Sequence, residues 1–173
     1  MIHRYLYLVC AAILTISSIG ASGTGDGDTY TSFFIDDAAR LHIRLVSGQY
    51  VLAPKEKYQA GFDSPAISPD GKTIGWLQLY PFPKTDKDDY DSGPIASGLA
   101  IYRNRRIIHQ FGTPQVFYDW QFRSGGSEVA YATGPTHGGA SEALLCDIAS
   151  GKILARWIPG TANPPEWAKG LNY

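Results

Sequence analysis

Beyond residue 30 the chain alternates short apolar runs with clusters of Gly, Pro, Asp, Asn and Ser, and no stretch there keeps a helical apolar period. That rhythm predicts strands at 31–35, 40–46, 49–53, 64–68, 73–79, 98–102, 107–111, 117–122, 128–133, 142–147 and 153–157. Tight turns are expected between them at Ser47-Gly48, at Pro69-Asp70-Gly71-Lys72 and at residues 103–106, where Asn104 suits a left-handed conformation. Two further turns fall at 123–127 and 148–152. Hairpins thus follow hairpins. The turn at 68–71 and the turn at 123–127 hold matching places about 55 residues apart, as do Phe111 and Trp157 at the ends of outer strands. The first unit carries only its last three strands. The expected fold is all-β: antiparallel four-stranded meander blades in an incomplete β-propeller-like arrangement, about two full blades plus a partial one.

The segment from Ser64 through Ser68-Pro69-Asp70-Gly71-Lys72 to Trp76 resembles the blade motif of TolB-like, WD-type propeller repeats, which also occur in relatives of prolyl oligopeptidase. In that motif the Pro-Asp-Gly turn joins the two inner strands. Leu144 to Leu154 resembles the outer hairpin of such a blade. The second copy of the turn, at 123–127, lacks the Pro and the Asp. The resemblance implies a binding, lid or scaffold role and brings no shared catalytic residue. A closed propeller needs about four blades, so end blades are expected to collapse into a sandwich, to be capped by the Trp- and Pro-bearing tail, or to meet a second chain face to face.

The N-terminus changes the setting. His3 and Arg4 precede an apolar run over 5–19 and a small-residue patch, Gly20-Ala21-Ser22-Gly23. This reads as a secretory signal peptide over 1–22, followed by a flexible leader at 23–29, the repeat domain at 30–160 and a Pro-rich tail at 161–173. The location expected is periplasmic or secreted, with no stable membrane span after cleavage. Cleavage would remove Cys10 and leave Cys146, which allows no internal disulfide and is expected to pack as a small buried hydrophobe. A net charge of −1 supplies no basic field for nucleic acid.

In an antiparallel meander alternate connections emerge on the same edge. The long loops at 54–63, 80–97, 112–116 and 134–141 are therefore expected on one rim and the tight turns on the other. Candidate binding residues on the long-loop rim are Tyr58, Tyr80, Phe82, Asp86, Asp88, Asp89, Tyr90 and His137. The Asp run lacks the Gly and distal Glu of a calcium-binding EF-hand loop and is read as solvated, with no metal assigned. No Gly-x-Ser-x-Gly or other catalytic set stands out, so no catalytic residue and no cofactor is expected. The function expected is a binding module for a protein or cell-envelope component, with self-association through exposed terminal blade faces. The alternatives are an accessory fragment of a peptidase-related hydrolase, an unrecognised hydrolase, and a Ca²⁺-stabilised structural domain.

Overall fold

The structure, a computed structural model, describes residues 27–82 and 93–173. They form eleven strands in three antiparallel sheets, each a simple meander. The first sheet holds β1 (Tyr30–Ile35), β2 (Leu41–Leu45) and β3 (Tyr50–Leu52). The second holds β4 (Gly61–Ile67), β5 (Ile74–Tyr80), β6 (Ile95–Arg103) and β7 (Arg106–Gly112). The third holds β8 (Val116–Arg123), β9 (Glu128–Gly134), β10 (Glu142–Asp147) and β11 (Ile153–Trp157). The fold is the expected incomplete propeller-like stack: two four-stranded units and a first unit of three strands.

Period-two patterning sets the layers. In β2 the side chains of Leu41, Ile43 and Leu45 are buried, while His42 and Arg44 face the other way. Together with Tyr30 they pack against Ile74, Trp76 and Tyr102 of the second sheet. The opposite face of that sheet presents Leu77, Leu99 and Ile101 to Trp120, Val129, Tyr131 and Cys146 of the third. The middle strands β5, β6, β9 and β10 are therefore covered on both faces, which explains their nearly continuous apolar sequences.

The tail closes one end of this stack. Ala168 and Leu171 are buried on Ala130, Ala143, Leu145 and Trp157, the far face of the third sheet. Arg123 fixes them there, its Nε donating to the Trp167 carbonyl and its Nη2 to the Lys169 carbonyl, both at 2.7 Å.

Several strand limits differ from the sequence reading. β6 begins at Ile95 rather than 98, because Ile95 and Ala96 still pair with Tyr80 and Leu79 beyond a register shift in β5. β4 begins at Gly61 rather than 64: Gly61, Phe62 and Asp63 pair with Leu79, Gln78 and Leu77 across a bulge between Asp63 and Ala66, where Ser64 takes φ 45° beside Pro65. β3 shrinks to three residues. The long loops are shorter accordingly. The turns fall where expected, and Asn104 and Arg105 both take positive φ, 50° and 59°, as a two-residue hairpin requires. At the turn of the third sheet, Gly126 (φ 102°) lies so near the second that an added Cβ would sit 2.8 Å from the Ser68 Cβ.

Candidate functional site

The two rims differ in chemistry. On the tight-turn rim a cleft of about 320 Å³ is bounded by Asp70, Arg103, Ser124, Gly126 and Asp147. Its polar groups are committed to partners within the rim. Asp70 Oδ1 accepts from Ser68 Oγ at 2.6 Å and from the Lys72 amide at 3.1 Å. Arg103 Nε donates to Thr73 Oγ1 at 2.8 Å, and Asp147 accepts from the Ser150 amide and hydroxyl. Ser68 beside Asp70, and Ser150 beside Asp147, hold both carboxyl groups below the usual carboxylate range.

On the long-loop rim a cleft of about 420 Å³ is lined by Gln78, Tyr80, Ser97, Gln110, Phe111 and Gly112. Register builds it. Gln78 pairs across the ladder with Gly98, and Gln110 lies diagonally beyond on β7, opposite Ala100. Gly98 carries no side chain between them; a Cβ there would stand 2.5 Å from Gln78 Oε1. The Gln78 amide thus reaches over Gly98 and accepts from Gln110 Nε2 at 2.6 Å. On its other side Gln78 Nε2 donates to Gln59 Oε1 at 3.4 Å, and Gln59 Nε2 donates to the Gly61 carbonyl at 2.7 Å. Three glutamine amides therefore form one relay, buried at Gln59 and Gln78 and exposed at Gln110. A primary amide has two donor hydrogens and an acceptor oxygen. Among the described residues Gln110 uses one donor and keeps its carbonyl and second hydrogen for another partner.

Hydrogen bonds carry this rim along the molecule. The Thr113 amide donates to the Ser97 carbonyl at 3.5 Å, and Ser141 Oγ donates to Gln115 Oε1 at 3.4 Å. Tyr118 Oη donates to the Pro135 carbonyl at 2.6 Å and accepts from the Gly139 amide at 3.0 Å, pinning the loop that bears His137.

Of the residues singled out from the sequence, Tyr80 lines the cleft at the end of β5, its phenol pKa raised by burial and by the nearby Glu56. Phe82 follows it, half-buried. Tyr58 is 75 % exposed on the neighbouring loop, with Lys57 Nζ 4.8 Å above its ring. His137 is exposed, and no carboxylate is hydrogen-bonded to it among the described residues. Asp86, Asp88, Asp89 and Tyr90 lie outside the described residues. Among the described residues no group of three or more His, Cys, Asp or Glu side chains could hold a metal ion, and no helix is long and apolar enough to cross a membrane. Cys146 is buried with its Sγ 3.7 Å from Tyr131 Oη, and burial pushes the pKa of both groups up, away from a reactive thiolate.

The glutamine relay was missed in the sequence. Its signal was present: Gln78 stands inside Ile74-Gly75-Trp76-Leu77-Gln78-Leu79, an otherwise apolar strand, where an amide must find buried partners.

No family model matches the chain, and no curated protein matches it. Among solved structures, the β-propeller domain of Cps50 (Swd1) from Myceliophteria thermophila is similar with a TM-score of 0.39 and 11 % identity, over 77 % of this chain. The chain spans 44 % of the length of that domain.

Proposed function

We propose that this chain is an exported, TolB-like propeller-type binding module, working in the periplasm or outside the cell. Its long-loop rim takes an uncharged, extended segment of a partner protein. The observation that carries this reading is the cleft at Gln78, Tyr80 and Gln110. It offers an acceptor and a donor side by side on Gln110, beside an aromatic face at Tyr80, in a setting of neutral groups. A peptide amide or a carboxamide side chain complements that pair in both senses, whereas an ionic ligand would find no opposite charge among the described residues that line it. The buried end of the relay holds Gln110 in place, so little ordering is needed on binding.

The test is cross-linked capture from the cell envelope fraction, comparing wild type with Gln110→Ala and Tyr80→Ala. Both side chains lie at the cleft and outside the buried core clusters, so the fold is expected to persist in each variant, as circular dichroism would verify. The partner captured by the wild type should fall at least about fivefold with either variant, the loss of one hydrogen bond or one aromatic contact. Undiminished capture by both variants would remove the cleft from the interface.

A further inference from the structure

A sheet edge is an invitation to pair, and proteins guard against it with charge, proline, bulges or brevity. Among the described residues six strands lie at sheet edges, and five are guarded. β3 is three residues long. β4 carries Asp63, Pro65 and a bulge. β7 has Arg106 and His109, β8 has Asp119, Arg123 and a bulge, and β11 has Arg156. β1 reads Tyr30-Thr31-Ser32-Phe33-Phe34-Ile35, six residues without charge or proline and rich in strand formers. Its register shift falls at the start, between Tyr30 and Ser32; from Ser32 to Ile35 the ladder to β2 is regular. Tyr30 donates its amide to the Gly71 carbonyl, and from Thr31 to Ile35 every residue is exposed.

The exposure falls on both faces of the strand. Phe34, 47 % exposed, stacks on His42 and meets Tyr50 on the outer face. Phe33 and Ile35, 37 % and 41 % exposed, alternate to the inner one. A partner laid flat on the sheet would cover one set and leave the other. A strand set beside β1 covers both.

We infer that β1 pairs edge to edge, antiparallel, with β1 of a second copy of this chain, joining two first sheets into one six-stranded sheet. The sequence of β1 is complementary to itself in this arrangement. With the two-fold axis at Phe33, Phe33 faces its own copy, Ser32 faces Phe34 and Thr31 faces Ile35. Each pair shares a face, and none sets like charges together. The charged groups next to the strand at either end are paired within each chain. Asp36 binds Arg40 at 2.7 Å at one end, and Asp28 binds Arg105 at 2.9 Å at the other.

Sedimentation velocity of the full chain over a hundredfold range of concentration tests this. Wild type is expected to shift from monomer to dimer. Ser32→Lys or Phe34→Lys, each placing a charge on an exposed edge position, should stay monomeric with an unchanged circular dichroism spectrum. A register probe completes it: directly opposed side chains lie ~5 Å apart at Cβ, so Phe33→Cys should oxidise to a covalent dimer. Leu52→Cys, on the far edge of the same sheet, should not. A wild type that is monomeric throughout overturns the inference, because β1 is then covered by other means. A dimer indifferent to both lysines, or one cross-linked through position 52, overturns it in favour of face-to-face contact.

Discussion

At the scale of single residues, three carboxylates set the acid limit of the fold. The Arg40 guanidinium, with His42 Nε2 2.8 Å away, holds Asp36 well below the usual carboxylate range; hydrogen bonds from Ser68 and Ser150 lower Asp70 and Asp147. A carboxyl whose pKa is lower folded than unfolded adds stability above the unfolded value, near 4, and loses it as pH falls toward the folded one. Thermal melts should therefore show stability flat near neutrality and declining below about pH 4. Asp36→Asn should melt below wild type at pH 7, and the two curves should converge in strong acid, where both positions are uncharged. The alkaline limit has the opposite origin. Burial raises the phenols of Tyr30, Tyr102 and Tyr131, whose contribution is complete below pH ~10 and lost above it.

Elements show an asymmetry between the two ends of the stack. Leu171 in the tail is buried against Leu145 and Trp157, whereas Leu52 at the opposite end is 52 % exposed. Leu171→Ala is expected to cost about 2 kcal/mol by urea denaturation, the lower end for a buried leucine on a segment able to relax. Leu52→Ala should stay within ~0.5 kcal/mol. Capping by the Trp- and Pro-bearing tail was one of three arrangements the sequence left open. The strands themselves were legible wherever turn residues bracketed an alternating run, as at Asn104 and at Pro69-Asp70-Gly71. They were obscured where a tertiary partner overrode the local signal. Residues 61–63 extend β4 across a bulge because Leu77 to Leu79 pair with them, and Ile95 and Ala96 extend β6 because β5 is long enough to pair with them. The candidate site was legible as a rim and not as a cleft. Strand order fixes which loops are neighbours, but the meeting of Gln78 with Gln110 depends on a diagonal across Gly98 that only a known register reveals.

For the whole molecule, layering implies a gradient of stability. The second sheet is covered on both faces by packed clusters, and the first on one. Native-state amide exchange at low protein concentration should find β5 and β6 slowest and β1 to β3 fastest, by at least about tenfold. Uniform protection across the three sheets would show that the stack opens as one unit.

The tail has a consequence for how far assembly can run. Layers of one kind, stacked with both outer surfaces bare, behave as a bifunctional building block: the last layer of one copy accepts the first layer of the next, and the filament has no natural end. Here Ala168 and Leu171 already occupy the last layer, so stacking of one copy's last layer on the first layer of the next is blocked. Head-to-tail growth is closed to the layers, and the edge pairing inferred for β1, being two-fold symmetric, uses up its own surface and would end at two.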